Sequence, residues 1–341
     1  MASGPRRVSV ASGLIGEPAA RAMVRRARSF GRRRRGPITI VVSLASAAVL
    51  VALLAGRRAE FVAALSTAGV GVLAVTALLQ VVALVARSEA WHLTIEAAGG
   101  AVARRVLYRA SSMQVVGSVV TGQLGAAARI AALRRSSPTV CPQVPTLIAA
   151  ELPILAVEAL LAALASFTLV GPLGLPWWLP IAGLAAVGGA AAGLRHLAIR
   201  KGRELWSGLA VLRSSSGGTR VVAFVLVGVF GQILRSWLLL HAVGVDASLF
   251  DATAVVIAVV TLGQLPVGPS VGAAAAVLIL GTQGVAAAAA AGLLMTVTGT
   301  VGGLCFAAWA GGDRLWLAGR RARLRRARGR RSDYNVVEAD A

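Results

Sequence analysis

Three charged residues stand well inside long apolar runs: Glu151 and Glu158 within 145–171, and Arg235 within 221–243. A charge at the centre of a membrane-spanning helix costs about 2.5–3.5 kcal/mol on insertion scales, so each is expected to have an offsetting partner. Glu151 and Glu158 are seven residues apart, two turns or about 10.5 Å along one helical face, and that face must look into a bundle. Pro153 between them is expected to bend the helix. Counted from cytoplasmic starts near 145 and 221, Glu158 and Arg235 lie about 20 and 21 Å deep. This common level predicts that they pair, directly or across a substrate path. The alternative is a structural role, as a buried salt bridge or as a protonated Glu158 bonded to backbone.

Arg129 sits at the cytoplasmic end of the apolar run 111–133. Its fork of N–H donors suits a lipid phosphate, which Arg can bind bidentately. The alternative is snorkelling to the interface beside Arg134 and Arg135. A second uncharged stretch, GQLPVGPSVGAAAA from Gly263 to Ala276, interrupts the run 252–281. Pro266 and Pro269 remove donors and disfavour helix at Leu265 and Gly268. The two arms this leaves rise about 21 and 16 Å, each short of the ~30 Å hydrocarbon core. Two half-helices joined by an irregular turn are therefore expected, with one long kinked helix as the alternative. Ser270 is placed to cap the second half-helix, whose N-terminal dipole favours an anionic headgroup. Gly122, Gly125, Gly268 and Gly272 allow close backbone approach, either to a ligand or in plain packing between helices. Gln123 and Gln264 either line the same path or tie helices together.

Other chemistries find no residues. His92, His196 and His241 are scattered, Cys141 and Cys305 are far apart, and no nucleophile set or phosphate-cradling glycine loop is present. No metal, cofactor or catalytic residue is expected, and the chain reads as a non-enzyme.

The elements that must position these side chains are membrane helices. The chain has 341 residues, of which 57% are hydrophobic and 14% charged, and its mean hydropathy is +0.77. Apolar runs recur at 38–56, 69–90, 111–133, 145–171, 176–194, 221–243, 252–281 and 284–311. Arg-Arg pairs before the first run imitate a signal peptide, but the run's length and its successors favour an uncleaved span. The net charge of +22 does not indicate nucleic acid, because the arginines flank the apolar runs as cytoplasmic loops require. The tails 1–37 and 312–341 are expected to be disordered, cytoplasmic and attracted to anionic lipid. The loop 195–220 has the composition of an amphipathic interfacial helix, ended by a flexible Ser214–Gly218 link.

Eight full crossings would place the basic loop 195–220 outside, against the positive-inside tendency. If 111–133 and 252–281 instead dip in and return, both tails and every strongly basic connection face the cytoplasm. The expected fold is therefore all-α and polytopic, with about eight apolar segments: six full spans and two re-entrant hairpins. TGQLGAAA at 121–128 echoes GPSVGAAA at 268–275. The halves 38–171 and 176–311 each hold three crossings and one dip, and the odd number inverts the second half, an inverted repeat of the transporter kind.

Arg87 and Trp91 before a Gly-rich turn, TGQLGAAAR with Gly125 and Arg129, Glu151 in the next helix, and LPVGPSVG followed by GTQGVAAAAAAGLL together form a pattern. It resembles the flippase-like transmembrane domain of lysylphosphatidylglycerol synthases over most of 38–311. Against that family's usual motifs, Thr121 stands for a proline, Gln123 for an arginine and Ala126 for a glutamate. Pro269-Ser270 replaces Pro-Gly, and Ala275 falls where an acid is expected. Nothing after residue 311 resembles the family's aminoacyl-transferring domain, so the resemblance does not extend to the synthase reaction.

The function expected is translocation of an anionic lipid or lipid-linked headgroup across the cell inner (cytoplasmic) membrane by a multi-pass protein with both termini cytoplasmic. Arg129, Glu151, Glu158, Arg235, Gln123, Gln264 and Ser270 would line the path. The two dips would meet near mid-membrane, with Glu158 and Arg235 changing partners as the halves rock. The alternative is a non-transporting scaffold that recruits lipid-modifying or envelope enzymes through its basic tails. The expected partners are membrane lipids, and no nucleic acid.

Overall fold

Runs that are apolar on every side fold as helices in lipid, because helices satisfy their own backbone donors and acceptors where no water can. The structure, a computed structural model, describes residues 52, 56–118, 122–200, 204–262, 271–281 and 284–339. Every regular element among them is helical. In chain order these are α1 (Arg58–Thr67), α2 (Val70–Ala97), α3 (Arg104–Ser118), α4 (Gly122–Ser136) and α5 (Val144–Ala165). A 3-10 turn (Ser166–Leu169) then leads into the short α6 (Val170–Leu173), followed by α7 (Trp178–Arg200) and a 3-10 segment (Glu204–Arg213). The chain closes with α8 (Ser215–Ala242), α9 (Leu249–Leu262), α10 (Val271–Leu280) and α11 (Val285–Ala339).

Among the described residues five helices are long and apolar enough to cross a membrane: Val70–Ala97, Val144–Leu173, Trp178–His196, Ser215–Ala242 and Val285–Gly312. They coincide with five of the apolar runs, and the chain is an integral membrane protein of helical class. The run 38–56 lies outside the described residues except for Ala52 and Gly56, as does the tail 1–37.

The runs 111–133 and 252–281 are each divided into two shorter helices. α3 and α4 have 15 residues apiece, about 22 Å of rise, too little for a bilayer core. They lie antiparallel. Gly117 and Gly125 meet so closely near their joined ends that a Cβ on Gly117 would stand 2.8 Å from the Cα of Gly125. At their other ends Leu107 and Leu133 share a buried cluster with Ile95, Leu147 and Val221. In the second run, α9 and α10 pack on each other and on α8 and α11. α10 runs antiparallel to α11, to which Gly281 and Gly284 connect it, and Gly272 presses against Gly292 with a Cβ position 2.6 Å from its carbonyl oxygen.

The spine of the bundle is the antiparallel pair α2 and α8, with α11 alongside. Gly228 packs near the carbonyl of Ala83 and Gly231 near that of Leu79, the small-residue contact that brings membrane helices close. One end of the bundle gathers the end of α2, the bases of α3 and α4, the start of α5 and the 3-10 segment around the Trp91–Leu147 cluster. Arg104, Arg105, Arg134, Arg135 and Arg213 lie at this basic end. The opposite end is built around Leu240, Val255, Ile279 and Leu294 and carries Arg57 and Arg58 with Glu60, Asp246 and Asp251. At the basic end Gly99 adopts a left-handed φ of 86°, closing α2 as glycine does without a Cβ penalty.

Two expectations about the connections are corrected. Residues 312–339 continue α11 as helix instead of forming a disordered tail; Arg, Leu and Ala are strong helix formers, and extending an existing helix avoids the nucleation cost. The loop 195–220 is not an interfacial helix with a flexible link. α7 runs on to Arg200, the 3-10 segment buries Leu209 and Val211 in the bundle, and Gly208 sits 2.6 Å, at its Cβ position, from Ala149 Cβ and Thr146 O of α5. Ser214 then caps α8 by accepting the Gly217 N–H at 3.3 Å, so Ser215–Gly218 form the first turn of that helix.

Candidate functional site

Two polar centres occupy the bundle, about two turns apart along α2; Arg129 and Arg235 are buried in them, and Arg87 and Glu158 are half-buried. The lower, nearer the basic end, joins three helices. Arg87 and Trp91 stand one turn apart on one face of α2. From α5, Glu158 pairs with Arg87 and Glu151 with Arg129 of α4. Arg129 is 2% exposed, and its guanidinium lies over the Trp91 ring, 3.8 Å from the centroid. Such a cation–π contact is worth up to about 2 kcal/mol when desolvated. The two ion pairs lie within electrostatic reach of one another. Arg129 therefore does not snorkel, whereas Arg134 and Arg135 are exposed.

The balance of donors and acceptors here is uneven. Arg87 Nε, Trp91 Nε1 and Arg129 Nε are all buried and have no hydrogen-bond partner among the described residues. Buried N–H groups are rarely left unmatched. Glu151 Oε1 at the same centre is likewise unmatched, so the site holds three donors and one acceptor without partners, and an anion with several acceptor oxygens suits the donors.

Arg235 belongs to the upper centre. Its Nη1 donates to Gln80 Oε1 at 2.8 Å and to Gln232 Oε1 at 2.9 Å. Its Nη2 donates to the Met295 carbonyl and, at 3.2 Å, to Thr298 Oγ1, while Gln232 donates to Gln80 at 2.8 Å. Glycines make the room: a Cβ on Gly299 would stand 2.9 Å from Arg235 Nη2, and one on Gly302 2.7 Å from Gln80 Cβ. These described partners are neutral, so the centre binds α2, α8 and α11 together while leaving the arginine's charge uncompensated by a carboxylate.

The expected Glu158–Arg235 pair is thus corrected. α8 starts at Ser215, six residues before the start near 221 assumed from the apolar run, which moves Arg235 about 9 Å further from the basic end. Its partner Gln80 lies seven residues before Arg87 on α2, about 10.5 Å above Glu158's partner. A double-mutant cycle distinguishes the two pairings. Glu158→Gln and Arg87→Gln are expected to couple by about 1–3 kcal/mol in thermal unfolding, and Glu158→Gln and Arg235→Gln to add within about 0.5 kcal/mol; the reverse pattern would restore the original pairing.

Of the other sequence candidates, Gly125 and Gly272 sit in the α3–α4 and α10–α11 contacts. Gly122 and Gln123 begin α4, with their side chains outside the described residues. Gln264, Pro266, Gly268, Pro269 and Ser270 also fall outside them. Arg87 and Trp91 entered the sequence reading only through a family pattern. Arg87 is nonetheless a charge inside the run 69–90, and its i, i+4 spacing to Trp91 was the available signal. Nothing in the sequence singled out Gln80 and Gln232.

At the base of the first hairpin, Tyr108 donates to Glu89, Arg104 Nε lies 3.5 Å from the other oxygen of Glu89, and Arg109 Nε donates to the Ala310 carbonyl at 3.1 Å. These bonds fix α3 to α2 and α11. Burial in the loop after α4 pushes the Cys141 thiol up, away from the thiolate form that reacts.

Compared with family models, with curated proteins and with solved structures, the chain matches none.

Proposed function

We propose that this chain moves the headgroup of an anionic lipid, or a lipid-linked headgroup, across the cytoplasmic membrane, with Arg87, Trp91, Arg129, Glu151 and Glu158 as the headgroup site. The observation that carries this reading is that Arg87, Trp91 and Arg129 at this centre each keep a buried N–H group without a partner among the described residues. A phosphate brings the acceptors they lack and suits arginine's planar fork. Glu151 and Glu158 hold the two guanidiniums while no lipid is bound and would exchange with it. An ion pair serves here better than a lone arginine, because an unpaired charge at this depth is costly.

In this reading the chain has six spans and two re-entrant hairpins, α3–α4 from the basic end and α9–α10 from the other, in an inverted repeat. The basic end faces the cytoplasm by the positive-inside tendency. Kinship with the flippase-like domain of lysylphosphatidylglycerol synthases is part of the proposal and rests on the motifs around Arg129, Glu151 and Pro269. A scaffold that recruits envelope enzymes is the second reading, favoured by the long basic extension of α11 beyond Gly312.

Reconstituted with fluorescent anionic phospholipids, the full chain is expected to exchange them between leaflets faster than empty vesicles do, and to keep doing so without residues 320–341. Exchange at the rate of empty vesicles for every lipid tried would overturn the transport reading. Loss of activity on removing 320–341 from a folded chain would favour the scaffold.

A further inference from the structure

The geometry points to the groove between α4 and α5 as a lateral portal, through which an anionic phospholipid of the leaflet at the basic end slides to Arg129. This rests on the lipid-translocation reading and deepens it by naming where the substrate leaves the bilayer. The groove measures about 680 Å³ and is lined by Ala127, Ile130, Ala131 and Arg134 of α4 and by Val144 and Ile148 of α5. That volume is within the range of about 300–1,000 Å³ common to ligand sites. Its walls are aliphatic apart from Arg134, so they suit an acyl chain, and Arg134 at the basic-end mouth suits the phosphate at the head of that chain.

Helical spacing connects this groove to the buried charges. Val144, Ile148 and Glu151 follow one another at intervals of four and three on α5, so Glu151 stands one turn above Ile148 on the face that walls the groove. On α4, Ala127, Ile130, Ala131 and Arg134 form the groove stripe, while Gly125, Arg129 and Leu133 are the buried face. One turn beyond the groove on α5, Glu151 pairs with Arg129 of the buried face of α4. α4 packs most extensively on α3. It is held to α2 and α5 by the Arg129–Trp91 contact, that ion pair and the side chains of Ile130 and Leu133. Parting α4 from α5, with the glycine contact of Gly117 and Gly125 kept, opens the groove. A phosphate moving from Arg134 to Arg129 travels five residues, about 7.5 Å, deeper along α4, where it takes the place of the Glu151 carboxylate.

The test reads lipid preference in the groove and needs no transport. In the full chain carrying Cys141→Ser and Cys305→Ser, a fluorophore is attached at Ala127→Cys in the groove or, as a control, at Leu226→Cys on the exposed face of α8. Vesicles contain phosphatidylglycerol or phosphatidylcholine with brominated acyl chains. At position 127, phosphatidylglycerol is expected to reach half-quenching at a mole fraction about fivefold lower than phosphatidylcholine, the preference one arginine gives near a membrane surface. At position 226 the two lipids should quench alike. Arg134→Gln, an exposed change, should remove the preference, as should filling the groove with Ile148→Trp. Equal quenching by both lipids at 127, or an equal preference at 226, would overturn the portal. Preference at 127 without leaflet exchange in the intact chain would leave the portal as a lipid-binding groove and sink the translocation reading instead.

Discussion

Arg129→Gln is expected to lower the stability of the bundle by about 3–5 kcal/mol, the cost of stranding one member of a buried ion pair. Arg129 is 2% exposed and the Glu151 side chain 15%, so water replaces little of the lost bonding once the guanidinium is gone, and the Trp91 face loses its cation. Glu151→Gln should cost a similar amount by stranding the arginine. Combining the two substitutions should recover more than half of the loss, because two amides can bond to each other and no buried charge remains. Thermal unfolding in mild detergent measures this. Singles that unfold at the wild-type temperature would show that Arg129 and Glu151 do not depend on one another. Leaflet exchange separates structure from function in the same set: the double variant should fold yet fail to exchange lipid, since it has lost the fork that holds a phosphate.

Gly292→Leu should destabilise by about 3 kcal/mol, the upper end of the cost of overpacking. A Cβ at this position falls inside contact distance of the Gly272 carbonyl and of Ala273. Its neighbours are backbone, which cannot rotate away as a side chain can, so α10 and α11 must separate. Gly183→Leu is the matched control. Nothing lies within 4 Å of a Cβ there, and a change within about 0.5 kcal/mol is expected. Equal unfolding temperatures for the two variants would refute the tight α10–α11 contact, which sets where α10 begins relative to Arg235 and Met295.

Periodicity carried far in this chain because lipid imposes a simple rule: a run apolar on all sides and of sufficient length becomes a helix. The five long helices fall where the apolar runs lie, and both runs that contain glycine-rich interruptions are divided. Boundaries were less legible. Ser214-Ser215-Ser216-Gly217-Gly218 has the composition of a linker, yet the same serine that suits a turn also caps a helix by accepting a backbone N–H. That one boundary moved Arg235 away from the level of Glu158 and gave Glu158 a different partner.

By itself the sequence determined that this is a helical membrane protein, that its basic residues collect in connections and tails, and that Glu151, Glu158 and Arg235 cannot stand in lipid without partners. These follow from transfer free energies, which depend on residue type and on position along a helix. Only the tertiary structure decided which partners they take. Pairing depends on the azimuth of each helix and on which helices are neighbours, and these are set by contacts between small residues, such as Gly228 with Ala83 and Gly125 with Gly117, whose spacing is too common in membrane helices to identify the helix they meet.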